Sequence, residues 1–272
     1  MHNDPSNSPQ SAYPSLTRLR HTELGEERRD STTITENTHR EHTQMSTHKR
    51  NSAALSETES NSNASHADIT TLNELSLYCE HLTEALEIQE SDLCQLIKWM
   101  EVTPGSPNKF NAKQFILRKE CTFALPDTQN YSFGSTFKMP LENWPELVKQ
   151  AFHDAQRRSA KPNAYTGVHV NYYKDGAVGL APHADNEKVM DQDMSIYSYT
   201  CLCDVNLPRM FSVYKKETKE KIVDIPLGNG DLVIMKPGMQ QQYLHGLEKQ
   251  RPYKAVKGRI NLTVRAFKQT PD

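Results

Sequence analysis

The 272 residues suffice for one large domain or two small ones, and their formal net charge of −2 comes from 32 Lys and Arg against 34 Asp and Glu. No run of about eighteen apolar residues occurs and the N-terminus has no apolar signal core, so the sequence argues against a membrane partner and predicts a soluble, intracellular protein. Five cysteines, Cys79, Cys94, Cys121, Cys201 and Cys203, are an odd number without metal-knuckle spacing, which excludes a disulfide scaffold.

Residues 1–66 are dominated by Ser, Thr, Asn, His, Glu and Arg, with isolated apolar residues at no regular period. Such a stretch cannot bury enough apolar surface to offset its ordering entropy, and a disordered arm is expected. Over 70–101 the apolar residues Leu72, Leu75, Leu82, Leu86, Leu93, Leu96, Ile97 and Met100 recur at helical spacing, predicting one or two helices, the second capped by Ser91. Short strands are predicted over 114–125 and 131–137, joined by Pro126-Asp127, followed by a helix over 144–157 with Pro145 in its first turn.

From Tyr165 onward the pattern changes to short β segments: 167–173, 179–185, 195–203, 210–215, 221–226, 231–235, 242–246 and 259–267. Turns are marked by Lys174-Asp175-Gly176, Leu207-Pro208 and Gly228-Asn229-Gly230. The predicted fold is mainly β with flanking helices, a sandwich or jelly roll. Cys201 and Cys203 alternate along one predicted strand and are expected to share a core face. Charge is uneven here: 209–268 holds thirteen Lys and Arg against five Asp and Glu, a basic rim that suits a phosphate-bearing partner.

Two histidines and an aspartate in this half are candidates for a metal. His183 and Asp185 are two apart, so on a strand both side chains point to one side. A distant His245 completes a two-His-one-carboxylate set, which leaves one face of an octahedral Fe(II) open to substrate and oxygen. By itself the His-x-Asp pair reads more readily as a hydrogen-bonded surface or core pair than as a metal site, and the same ligands suit a hydrolytic zinc site. In Arg259-Ile-Asn-Leu-Thr-Val-Arg265, Arg259, Asn261, Thr263 and Arg265 share one face while Ile260, Leu262 and Val264 share the other. Alone, that polar face reads equally well as a solvated outer face. Beside the ligand set, its guanidiniums are forks for the carboxylates of a small dicarboxylate, to which Asn171 and Tyr173 add hydrogen bonds.

These residues carry a resemblance. Asn171-Tyr-Tyr173-Lys-Asp-Gly176, His183-Ala-Asp185-Asn-Glu187, Arg209-Met-Phe211, Gly230-Asp-Leu, His245 and Arg259-Ile-Asn-Leu-Thr-Val-Arg265 together resemble the AlkB family of Fe(II)- and 2-oxoglutarate-dependent dioxygenases, and the similarity extends faintly upstream to about residue 91. The resemblance implies a double-stranded β-helix (jelly-roll) core over 163–269, a helical and nucleotide-covering part over 67–162, and the arm at 1–66. It assigns His183, Asp185 and His245 to catalytic iron, and Asn171, Tyr173, Arg259, Asn261 and Arg265 to 2-oxoglutarate, with Arg259 on the distal carboxylate and Arg265 nearer the metal.

It further implies a monomer that uses O2 to demethylate N-methylated bases of the 1-methyladenine or 3-methylcytosine type in DNA or RNA, releasing formaldehyde, succinate and CO2. Ring methylation makes these bases cationic, so Glu187 is expected to favour the lesion. Tyr131 and Phe123 are expected to stack on an extruded base. Two departures from the family pattern bear on substrate choice: Phe123-Ala-Leu-Pro-Asp127 replaces a glycine-containing turn, and Asp204-Val-Asn-Leu-Pro-Arg209 is longer and more polar than usual. Alternative readings are a 2-oxoglutarate-dependent hydroxylase or demethylase of a protein, and a non-catalytic nucleic-acid-binding relative.

Overall fold

In the computed structural model, which describes residues 69–108, 111–115 and 117–270, the chain opens with helix α1 (Ile69–Ser76), strand β1 (Cys79–Leu82) and helix α2 (Glu90–Val102). The expected arm at 1–66 lies outside the described residues. Strands β2 (Pro107–Asn108) and β3 (Asn111–Phe115) pair with each other, and β4 (Lys119–Ala124), β5 (Ser135–Lys138) and helix α3 (Glu146–Arg158) follow. Eight further strands complete the fold: β6 (Gly167–Tyr173), β7 (Leu180–His183), β8 (Ile196–Leu202), β9 (Arg209–Lys215), β10 (Lys221–Leu227), β11 (Leu232–Met235), β12 (Tyr243–Leu247) and β13 (Arg259–Arg265). A one-turn helix, α4 (Met239–Gln242), separates β11 from β12.

The last eight strands alternate between two sheets. One sheet has the order β1-β11-β8-β13-β6-β4-β5 and the other β10-β9-β12-β7. The chain therefore crosses from sheet to sheet at every step from β6 to β13 except the β9–β10 hairpin, which is the winding of a double-stranded β-helix. Turn chemistry fits the crossings. Gly230 adopts φ +82°, and a Cβ there would lie 2.3 Å from the Leu86 carbonyl oxygen, so only glycine meets both demands.

Both faces of the seven-stranded sheet are buried. Val168 and Val170 of β6, Tyr197 and Tyr199 of β8, and Ile260, Leu262 and Val264 of β13 pack in one apolar cluster with Leu93, Leu96 and Met100 of α2 and Leu147, Ala151 and Phe152 of α3. The two helices thus cover the outer face. Along β13 every residue is buried, including Arg259, Asn261, Thr263 and Arg265 on the opposite face, which looks toward the four-stranded sheet. The solvated reading of that polar face is therefore excluded.

Several expectations need correction. The 70–101 segment is not continuous helix: Leu82 lies in β1, which pairs with β11, so cross-strand hydrogen bonding overrides the local period. The N-cap of α2 is Gln89, with Ser91 inside the helix, and Pro145 is the N-cap of α3 rather than a first-turn residue. Tyr131 precedes β5 rather than sitting in a strand. Cys201 is in the core, where burial pushes its thiol up to about 12, but Cys203 lies just past the end of β8 and is exposed. All five cysteines are free thiols, and no helix among the described residues is long and apolar enough to cross a membrane.

Phe123 is fully buried on β4, with its ring centroid 5.7 Å from those of Trp99 and Phe137 and 6.2 Å from that of Trp144. Its expected role as a base-stacking ring is overturned, because every face is taken by other aromatic rings. Phe123→Ala is expected to cost about 3–5 kcal/mol of unfolding free energy, the cost of an aromatic cavity in a close-packed core. Chemical denaturation measures this; a loss below about 1 kcal/mol would contradict the core assignment.

Candidate active site

Cross-strand register assembles the site. His183, the last residue of β7, stands directly opposite His245 on β12, and their ring centroids are 4.3 Å apart. Asp185 lies two residues beyond the end of β7, in chain without regular structure, with its carboxylate within reach of both rings. Its Oδ1 is 3.4 Å from His183 Nε2 and its Oδ2 is 4.0 Å from His245 Nε2. One ligand atom from each of the three residues falls within 4.8 Å of the others.

Supporting contacts fix each ligand. The Ala181 carbonyl is 3.1 Å from His183 Nδ1, an acceptor that keeps the proton there and leaves Nε2 free to bind. Phe211 stacks on His245 with centroids 5.4 Å apart and planes 18° from parallel. The Asp185 N–H donates to Gln240 Oε1 at 2.9 Å. Arg265 Nη2 donates to Asp185 Oδ2 at 2.6 Å, and its Nη1 donates to the Tyr131 hydroxyl oxygen at 2.6 Å. The Tyr131 hydroxyl donates in turn to Glu187 Oε1 at 3.2 Å.

The electrostatics suit a cation between the three ligands. Burial pushes the Asp185 carboxyl up, but Arg265 and the two histidines overcome this and hold it well below the usual carboxylate range. Burial, reinforced by His183, lowers His245 to about 3, so its imidazole is neutral at ordinary pH. Anionic carboxylate and neutral imidazole are the forms that bind a divalent metal.

A cavity between the sheets is lined by these residues together with Asn171, Tyr173, Ser198, Arg259, Asn261, Thr263 and Arg265. Register again explains the grouping: on β13 Arg259 faces Tyr173 and Asn261 faces Asn171 of β6, while Asn261 faces Thr200 of β8 on the other side. Arg259 Nη2 donates to Thr200 Oγ1 at 2.9 Å, and Asn261 Nδ2 donates to Ser198 Oγ and the Tyr199 carbonyl, both at 2.9 Å. Asn171 Oδ1, Arg259 Nε and Arg265 Nε are buried with no partner among the described residues. The two unused guanidinium N–H donors beside one cavity fit a small polyanionic ligand such as 2-oxoglutarate.

The eight residues predicted to hold metal and dicarboxylate are thus brought together. Of those predicted to meet substrate, Phe123 is excluded. Tyr131 is only 6% exposed, its ring enclosed by His169, Phe133 and Phe267 at 5.0–5.2 Å, so its hydroxyl rather than its face serves the site. Glu187 is half-buried, with Oε2 lacking a partner among the described residues. Sequence reasoning missed Ser198, Thr200 and Gln240. The first two carried a usable signal, because they alternate with Tyr197, Tyr199 and Cys201 in β8; Gln240 sits in a single helical turn and carried none.

The profile of the 2OG-Fe(II) oxygenase superfamily matches residues 80–265. No match was found among curated proteins. Among solved structures, one described as "The structure of OsALKBH1" is 17% identical, covering 69% of this chain and 97% of that chain with a TM-score of 0.46.

Two predictions follow from the buried charges. Arg265→Met leaves the Asp185 carboxylate buried without its cation and is expected to cost the metal-free protein about 3–5 kcal/mol in denaturant unfolding, part of which a divalent metal restores. His169 is buried, with Nδ1 2.9 Å from Thr122 Oγ1, and burial followed by the Arg265 and Arg118 charges lowers it well below 6.5. The unfolded chain therefore takes up a proton that the folded one refuses, so stability falls as pH drops below 6.5. His169→Gln is expected to reduce that slope by about 1.4 kcal/mol per pH unit, read from denaturation midpoints across the acid range.

Proposed function

This chain belongs to the 2OG-Fe(II) oxygenase superfamily, and from that premise we propose that it is an AlkB-like oxidative demethylase of N-methylated bases in DNA or RNA. It is an Fe(II)- and 2-oxoglutarate-dependent dioxygenase. His183, Asp185 and His245 hold the iron, while Asn171, Tyr173, Arg259, Asn261 and Arg265 hold 2-oxoglutarate. Bound together, iron, cosubstrate and O2 supply the oxidation that hydroxylates an N-methyl group, and the hydroxymethyl amine then releases formaldehyde. No nucleophile of the chain is needed.

The protein's own part is to orient, neutralise and exclude water. Arg265 is shared between the iron carboxylate and Tyr131, which lies in the connection from β4 to β5 and so ties the covering segment to the metal end. That segment belongs to 67–162, the part we assign to covering the nucleotide over the 163–269 oxygenase core.

The observation that carries the nucleobase reading is Glu187. Two residues beyond a metal ligand, it spends Oε1 on the Tyr131 hydroxyl and keeps Oε2 buried without a partner among the described residues. An unspent carboxylate oxygen two residues from a metal ligand favours a cationic group, and a ring-methylated adenine or cytosine is one. Lys249, Arg251, Lys254 and Lys257 are exposed between β12 and β13 and can take phosphates. Arg209, Arg259 and Arg265 are buried and are not part of that basic rim, contrary to the sequence count.

The test is aerobic turnover with Fe(II), 2-oxoglutarate and oligonucleotides bearing 1-methyladenine or 3-methylcytosine. Formaldehyde and succinate should appear in equal amounts, His183→Ala should abolish both, and Glu187→Gln should lower kcat/KM by about tenfold. Succinate without formaldehyde from any methylated oligonucleotide would sink the reading and favour a protein substrate.

A further inference from the structure

Arg209 is the largest fully buried side chain among the described residues, and nothing in the metal or cosubstrate set accounts for it. It starts β9, where Arg209, Phe211 and Val213 alternate with Met210 and Ser212 and point between the sheets. Val213 is the register partner of His245, so Arg209 lies four residues, about 13 Å, along the strand from the metal ligands. Arg259 is likewise at the far end of β13 from Arg265, the residue that grips Asp185. The two guanidiniums meet around one ring: Arg259 Cζ is 5.2 Å and Arg209 Cζ 5.9 Å from the Tyr173 centroid.

No carboxylate of the described residues touches this pair, and the Asp175 carboxylate acts on Arg209 only from a distance. Among the described residues, neither has a carboxylate ion-pair partner, and both have an Nε without any hydrogen-bond partner. Arg209 bonds only carbonyl oxygens, Val178 at 2.9 Å and Asp175 and Glu248 at 3.4 Å. Burial, with repulsion from Arg259, lowers its pKa to about 10, yet it is still charged at neutral pH. Two buried cations side by side are costly unless an anion joins them. The opposite end of the cavity carries the reverse arrangement, where Arg265 is neutralised by Asp185.

We infer that Arg209 is a specificity-determining residue, a second cation that acts behind Tyr173 and Arg259 to select a cosubstrate whose tail ends in a carboxylate. It does not line the cavity, so it acts through the field it adds and through Tyr173, whose ring it faces. Its carbonyl bonds also clasp the β6–β7 connection to the end of β12. These segments are pressed together so closely that a Cβ on Gly176 would lie 2.2 Å from the Gln250 carbonyl oxygen. Arg209 is thereby kept from bulk water, and its field stays strong.

The inference rests on the assignment of 2-oxoglutarate to Arg259, and the experiment separates the two. Calorimetry on the full chain loaded with Zn(II) compares 2-oxoglutarate with 2-oxopentanoate, a keto acid of the same length with an uncharged tail. Wild type should prefer the dicarboxylate. Arg209→Met should shrink that preference by about tenfold while leaving 2-oxopentanoate affinity unchanged, and Arg209→Lys, which keeps the charge, should retain the preference. Equal weakening of both acids by Arg209→Met would reduce the residue to a loop clasp and overturn the inference, as would an unchanged preference. If Arg209→Met fails to fold, loss of the preference in a folded Arg209→Lys overturns it. Should Arg259→Met erase the preference while Arg209→Met does not, only the inference fails; should neither change it, the assignment of Arg259 fails as well.

Discussion

Strand β13 has no side that faces water, and the rest of the site follows from that constraint. Its apolar face is covered by α2 and α3, while its polar face, with two arginines, an asparagine and a threonine, is held between two sheets. Buried polar groups must find partners or they destabilise the fold. Thr263 donates to Asn261, Asn261 to Ser198 and the Tyr199 carbonyl, and Arg259 to Thr200, all at 2.9 Å. What this network cannot satisfy is the charge of the arginines, and each end of the strand handles it differently.

At one end Arg265 finds Asp185. That ion pair keeps the carboxylate ionised despite full burial, so a metal meets an anion already held in place. At the other end Arg259 and Arg209 have only an aromatic face, a hydroxyl and carbonyl dipoles. The cavity is therefore polarised along its length, compensated where a metal would bind and electron-poor at the Arg259 end. A small acid with two charged ends fits that gradient in one direction only.

Much of this was legible in the chain, for a definite reason. Local patterns survive folding when their period matches the structure: the segment 167–173 and the start of 259–267 coincide with strands because alternation and burial coincide there. The pairing of Asn171 and Tyr173 with Arg259 and Asn261 follows once both segments are neighbouring antiparallel strands in the observed register. Where local and tertiary preferences conflicted, the sequence misled. Leu82 fits a helical period but is drawn into a strand, and Phe123 and Tyr131 have the composition of stacking rings but are enclosed by other aromatics.

By itself the sequence determined which side chains could carry the chemistry, a His-x-Asp pair, a later histidine and a two-arginine strand, because ligand type and period two are properties of adjacent residues. Only the tertiary structure decided their use. Asp185 meets the histidines from beyond the end of its strand, the basic count of the C-terminal half is split between an exposed loop and buried arginines, and Arg209 is placed beside Arg259. These outcomes depend on which strands become neighbours and in what register, a choice made by burial across the whole chain rather than by any local segment.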